Sequence, residues 1–211
     1  MNIHGYKKEG NLGTFHKVVL MSKSPRRREL LSFLSPSFMS SSCDELAVLD
    51  KYLEEFQEDA FLERLGKVSC ELARAKSSEK LKADILYISA DTMVLMDGKV
   101  YNKPKDREEA YQMLRSYFGK SHYVVTGVCL KTAQGEDTFY SLCEVSFIQY
   151  HEYLESFIQQ YIDRGSPMDK AGAYGIQDMP PFFLSSIKGD YFTIVGLPVG
   201  EIVERLDLSM L

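Results

Sequence analysis

Three consecutive arginines, Arg26-Arg27-Arg28, stand where a helix should begin, directly behind Ser22-Lys23-Ser24-Pro25. The preceding Lys17-Val18-Val19-Leu20-Met21 reads as a short apolar strand, Ser24 as the N-cap and Pro25 as the first helical residue. The positive end of a helix dipole favours acidic side chains, yet Arg27 holds the third position, where a capping box would place Glu or Gln. A local rule broken in this way marks a site with a task. Backbone N–H groups at a helix start, joined by clustered guanidinium groups, suit a polyanion, most simply a phosphate chain.

Other residues could complete such chemistry. Asp91 closes the apolar run Ile85-Leu86-Tyr87-Ile88 at Ala90-Asp91-Thr92, where a carboxylate can hold a divalent ion, orient water or cap a turn. Asp44 and Glu45 offer a second carboxylate source, within an acidic stretch that also reads as a solvated helix. Lys103 is biased toward extended backbone by Pro104, and Lys170 sits in a loop whose Gly172 and Gly175 permit close approach to a ligand. Each lysine also reads as a plain surface charge. Gln177 has a donor and an acceptor that could read a base edge, while His122 reads as structural or superficial. Neither a nucleophile–base pair nor a glycine-rich phosphate loop is visible. Arginines at a helix start, loop lysines and carboxylates near strand ends are the parts of a metal-assisted reaction on a polyphosphate.

The elements that must position these groups follow from periodicity. The arginines open a helix to Leu34 with Leu30, Leu31 and Leu34 on one side, and Phe61, Leu65, Val68, Leu72 and Ala75 recur at helical spacing. Asp97-Gly98 is a two-residue hairpin turn between Met93–Met96 and Lys99–Tyr101. Asp106 and Glu109 frame the start of a helix whose buried face is Ala110, Met113, Leu114 and Tyr117. Strands over 122–132 and 138–149, a helix over 152–163 with Leu154, Phe157, Ile158 and Ile162 apolar, a hairpin turning at Lys188-Gly189-Asp190 and a last helix complete the chain. Alternating helices and hairpin-joined strands predict a mixed sheet with helices packed on it, an α/β fold.

Composition limits the partners. With 211 residues, the chain can bury one substantial core, and its net charge of −5 opposes general nucleic-acid binding. The first sixteen residues lack the apolar run of a signal peptide and read as a partly disordered extension, leaving 17–211 as a single domain. No run approaches a membrane span, so a cytoplasmic address is the default. Four scattered cysteines without metal spacing read as core packing in a reducing compartment.

The motifs also match a family. Leu20 through Leu31, Ala90-Asp91-Thr92, Asn102-Lys103-Pro104, Gly119 through Gly127 with His122 and Thr126, Asp169 through Gln177, and Gly189-Asp190-Tyr191 with Val195 through Pro198 occur in the order of the Maf family of nucleoside triphosphate pyrophosphatases. The resemblance implies a two-lobed, inosine-triphosphatase-like α/β fold around a cleft, often a homodimer. It further implies Mg²⁺- or Mn²⁺-dependent cleavage of a nucleoside triphosphate into monophosphate and pyrophosphate. Arg26-Arg27, Asp91-Thr92 and Tyr174-Gly175-Ile176-Gln177 resemble the branch that prefers dTTP, UTP and modified pyrimidine nucleotides. By that resemblance Asp91 is the catalytic carboxylate and, with Glu45, a metal ligand. Ser22, Arg26, Arg27 and Lys103 would hold the triphosphate, and Thr92 and Gln177 the nucleoside end, with Arg28 pointing elsewhere.

Three departures stand out. Met21-Ser22-Lys23-Ser24 differs slightly from the family's opening, and Asp178 replaces a glycine after the glutamine. Leu72 aligns with a substrate-binding lysine, with Arg74 and Lys76 read as lying on other helix faces. The apparent loss of that lysine motivates an alternative: a non-catalytic nucleotide-binding regulator of cell division on the same fold. A proline-directed phosphorylation site at Ser24 is a further reading, opposed by the strand just before it.

Overall fold

In the computed structural model, which describes residues 2–77 and 81–206, the first half of the chain forms β1 (Asn2–Gly10), β2 (Lys17–Met21), α1 (Pro25–Leu30), β3 (Ser37–Met39), α2 (Glu45–Glu55), α3 (Phe61–Lys76) and β4 (Ile85–Met96). Then follow β5 (Lys99–Tyr101), α4 (Arg107–Tyr117), β6 (Ser121–Lys131), β7 (Gly135–Phe147), α5 (Glu155–Asp163), β8 (Leu184–Lys188), α6 (Tyr191–Val195) and α7 (Val199–Arg205). Among the described residues the strands make one sheet in the order β1-β7-β6-β4-β2-β3, with β5 added on β4 and β8 on β7. β2 runs parallel to β3 and β4, whereas β4–β5 and β7–β8 are antiparallel. The expected mixed α/β sheet is present. The single domain expected after residue 16 divides into two compact units. One holds the chain up to Asp91, Thr126–Ser141 and the chain from Gly196; the other holds Thr92–Val125 and Leu142–Val195.

In the first unit β2 is buried on both faces, as a parallel inner strand should be. Val18 and Leu20 join Leu86, Ile88 and Ala90 of β4, Val128 and Leu130 of β6 and Phe139 of β7, under Leu31, Leu197 and Ile202. Val19 and Met21 face the other way, against Tyr87. Each fully buried aliphatic side chain here contributes about 1.5–3 kcal/mol of transfer free energy. α3 lies directly on β6 at Gly127, where an added Cβ would sit 2.3 Å from the Ser69 carbonyl carbon and 2.5 Å from the Cys70 nitrogen. Only glycine lets that helix approach so closely, and α3 carries Lys76 at its far end.

Residues 2–10 correct the expectation of a disordered extension, for they form β1 beside β7. Alternate side chains find partners: His4 stacks on Tyr140 at 4.8 Å, and the Tyr6 hydroxyl donates to Glu71 Oε1 at 2.7 Å. Lys7, Lys8 and Glu9, which made the segment read as polar coil, are the charges with which an edge strand resists pairing with other chains.

In the second unit Asp97 and Gly98 both adopt positive φ, 48° and 74°, giving the expected tight hairpin from β4 to β5. Asp106 caps α4 by accepting from the Glu109 N–H at 2.8 Å, and the four expected residues of α4 are its buried ones. Tyr117 sits fully buried with Phe147, His122 and Tyr174 around it, and its hydroxyl donates to Gly172 O at 2.9 Å. Gly172 has φ 71°, and an added Cβ would lie 2.6 Å from that same hydroxyl. Two expectations fail here. Lys188-Gly189-Asp190 is no hairpin turn, because Asp190 Oδ2 accepts from the Thr193 N–H at 2.9 Å and starts α6. Phe157, read as apolar face, is 38% exposed. No helix among the described residues is long and apolar enough to cross a membrane.

Candidate active site

The local rules that start α1 also set the first site residues. Ser24 is extended, at φ −66° and ψ 120°, and its hydroxyl accepts from the Arg27 N–H at 3.4 Å. The Ser24 N–H in turn donates to Ser22 Oγ at 3.2 Å, and Ser22 is buried at the end of β2. Pro25 occupies the first turn and no acidic residue enters it. Arg26 and Arg27 are half-buried. Arg27 Nε donates to Gly196 O and Nη1 to Ala90 O, each at 2.8 Å, so two of its five N–H donors hold backbone, one of them at the residue before Asp91. Enclosure pulls the Arg27 pKa below its usual value, Asp91 pulls it back up, Arg26 opposes and Glu45 supports. Those four side chains therefore share one electrostatic neighbourhood. Arg28 points elsewhere, as expected, its guanidinium lying 4.6 Å from the Phe38 ring centroid.

Asp91 is not at a strand end. β4 runs on through Met96, so the carboxylate projects from mid-strand, 14% exposed. Opposite it stands Lys76, the last residue of α3, whose Nζ lies 2.7 Å from Asp91 Oδ1 and 3.1 Å from Glu45 Oε2. Glu45 opens α2 behind an Asp44 cap that accepts from Ala47 N–H at 3.1 Å, and its side chain is 57% exposed. One ammonium thus joins the two carboxylates that the sequence offered separately.

This overturns the reading of Leu72 as a lost lysine. Leu72 is buried in the α3 interface, and Lys76, one full turn further, brings the ammonium. Residues four apart share a helix face, so the reading that set Lys76 on a different face from Leu72 is corrected. The signal that could have found it is the apolar row Leu65, Val68, Leu72 ending in a lysine at the next position of the same row. With it goes the motive for a non-catalytic protein.

Asp91 and Glu45 supply hard oxygen donors that converge on a single cationic centre, now the Lys76 ammonium. Among the described residues no group of three or more His, Cys, Asp or Glu could hold a metal. Two carboxylates fit Mg²⁺ or Mn²⁺, which commonly bind through one or two carboxylates together with substrate phosphates and water.

The remaining expected residues belong to the second unit. Thr92 is half-buried in β4, Lys103 is exposed after β5, and Gln177 is exposed after the Gly172–Gly175 loop. Lys170 is buried, contrary to its reading as a surface charge: its Nζ donates to Ser166 O at 2.5 Å and Asp169 Oδ1 at 2.8 Å, and lies 3.2 Å from Asp178 Oδ2. Asp178 also accepts from the Tyr161 hydroxyl at 2.9 Å and from Ser166 Oγ, so it fastens the segment behind Gln177. His122 is buried with Nε2 2.7 Å from the Tyr174 hydroxyl oxygen and no partner at Nδ1, and burial pulls its pKa down to about 3. It is neutral at physiological pH.

Comparison with known proteins bears on this arrangement. The family profile described as Maf-like protein matches residues 17–208. A dTTP/UTP pyrophosphatase of Clostridium perfringens strain 13 is 36% identical over 198 residues, covering 90% of this chain and 96% of its own. The dTTP/UTP pyrophosphatase of Thermotoga maritima is 38% identical over 190 residues, covering 90% and 88%. That of Bacteroides thetaiotaomicron is 39% identical over 199 residues, covering 93% and 97%.

Proposed function

The chain belongs to the Maf-like protein family, and from that premise we propose that it hydrolyses nucleoside triphosphates, dTTP, UTP and modified pyrimidine nucleotides foremost, to the monophosphate and pyrophosphate. The observation that carries this reading is Lys76 held between Asp91 and Glu45, the two carboxylates whose charge Arg27 also feels. A triphosphate brings several negative charges, and Arg26, Lys76 and the start of α1 supply the positive groups to meet them. Arg27 holds Ala90 and Gly196 in register and adds its charge nearby.

In this reading Asp91 orients a water and takes its proton as the oxygen bonds to the α-phosphorus. The α–β bridging oxygen leaves with the bond's electron pair as part of pyrophosphate. Lys76 neutralises charge building on the phosphoryl oxygens, which is where such transfers gain most. A divalent cation held by Asp91 and Glu45 would supply further neutralisation of the phosphate chain. Ser22 supports the turn that presents the arginines. Lys103 is assigned to phosphate, Thr92 and Gln177 to the nucleoside, and a homodimer to the working form.

The test is pyrophosphate release from a panel of dTTP, UTP, methylated pyrimidine triphosphates and 7-methyl-GTP with Mg²⁺ or Mn²⁺. The expected product is pyrophosphate with preference for the pyrimidines, abolished by chelation and reduced about 10²–10⁴-fold by Asp91→Asn. Orthophosphate as the product, or no turnover with any nucleotide and metal, would overturn the reading. Lys103→Ala should raise KM for dTTP, and sedimentation reports the dimer.

A further inference from the structure

Lys76 stands at the very end of α3, where helices fray and the last carbonyls lack partners inside the helix. Here that end is pinned to β4. Ser89 Oγ donates to Ala73 O at 2.6 Å, and Ser77 Oγ lies 2.6 Å from Ser89 Oγ. Each hydroxyl has a single proton, and that of Ser89 is given to Ala73. The proton shared between the serines is therefore Ser77's. The chain runs one way, from Ser77 to Ser89 to the Ala73 carbonyl, with Ser77 1% and Ser89 0% exposed.

Two sequence neighbours make this chain part of the site. Ser77 directly follows Lys76, and Ser89 lies two residues before Asp91, hence on the same face of β4. The end of α3 thus meets β4 through a neutral fastening and a charged one, side by side. A lysine has a long flexible stem, so its ion pair tolerates many placements of the helix. Two short buried hydroxyl bonds do not.

We propose that Ser77 and Ser89 are positioning residues, which set the last turn of α3 on β4 so that Lys76 Nζ reaches Asp91 and Glu45 together. The kinetic consequence rests on the pyrophosphatase reading above; the placement of Lys76 does not. Ser89→Ala keeps the strand and removes the relay, and Ser77→Ala removes only its outer link. In the full-length protein, Ser89→Ala should lower kcat for dTTP about ten- to a hundredfold, as an ångström-scale misplacement does, while KM changes less than about threefold.

A double-mutant cycle separates positioning from mere support. In a Lys76→Met background, Ser89→Ala should cost nothing further; an equal loss in both backgrounds would overturn the proposal. Should Ser89→Ala fail to fold, Ser77→Ala passes through the same cycle. A second measurement is independent of turnover. The Lys76 ammonium signal in ¹H–¹⁵N spectra, identified by its absence from Lys76→Met, should move in Ser77→Ala and Ser89→Ala toward its position in Asp91→Asn. An unmoved signal overturns the proposal even in an active enzyme. A wild-type protein without pyrophosphate release sinks the enzymatic reading alone, and the ammonium signal still decides the placement.

Discussion

The corner between α3 and β4 and the aromatic centre of the second unit bury polar groups in opposite ways. Around α3 the groups stay charged and pair: Lys76 at that corner with Asp91 and Glu45, Arg74 with Glu71 and with Glu136 of β7, and Lys131 of β6 with that same Glu136 at 2.9 Å. Burial works against the charge on Arg74, yet Glu136 and Glu71 outweigh it and raise the pKa. Burial would likewise raise the Glu136 carboxyl, but Lys131 and Arg74 hold it below its usual value. In the aromatic centre the groups are kept neutral. Tyr117 and Tyr174 have pKa values driven upward by burial, and His122 has its own driven downward, so none is charged near neutrality. Burying an unpaired charge costs more than burying a neutral group with one hydrogen bond, so both arrangements are affordable, but only the first leaves charge to use. The corner keeps charge available to a ligand; the aromatic centre holds a shape.

The largest expected effect breaks the charged side of this comparison. Lys76→Met leaves Asp91 and Glu45 without their shared ammonium, and pyrophosphate release should fall about 10²–10³-fold, the scale for losing one stabilising donor at a reacting phosphate. Steady-state kinetics on dTTP check it, and a rate within threefold of wild type would remove Lys76 from the chemistry. The next effect falls on the neutral side. Tyr174→Phe deprives His122 Nε2 of its partner while Nδ1 already has none, so a buried ring loses its remaining bond. Denaturant unfolding should show a loss of about 1–3 kcal/mol, the desolvation cost of an unsatisfied buried group.

That contrast also explains what the sequence could disclose. Neutral packing follows periodicity, so the buried face of α4, the Asp97-Gly98 turn and the Ser24 cap were all readable from local residue order. β1 was not, because its partners, Tyr140 and Glu71, lie far along the chain and its own residues look like coil. Asp91 was readable as a carboxylate beside an apolar run, but its setting in mid-strand depends on β4 continuing into the β5 hairpin. Lys76 was hidden for a further reason. A lysine at a helix end normally answers the helix dipole and faces water, and only the return of β4 reveals that this one is 9% exposed and facing Asp91. Lys170 misled in the same direction, since Asp178, one of the residues that fix it, lies further along the chain, beyond the glycine-bearing loop.

Acid separates the two regions most finely. His122 has a folded pKa of about 3 against 6.5 when free. Between those values the unfolded chain binds a proton that the folded chain refuses, so stability is full above 6.5 and falls as the pH drops. From pH 7 to pH 5 this one residue should cost about 2 kcal/mol, read as a lower denaturant midpoint, and His122→Phe should remove most of that slope whatever its own cost at pH 7. Glu136 behaves otherwise. Its folded pKa is below the usual 4.5, so its contribution is present above 4.5 and is lost only as the pH falls on through the folded value. Glu136→Gln should therefore lower stability at every pH from 7 to 5 while leaving the slope between them unchanged. A slope altered by Glu136→Gln but not by His122→Phe would mean that the charged pairs around α3, rather than the neutral centre, set the onset of acid unfolding.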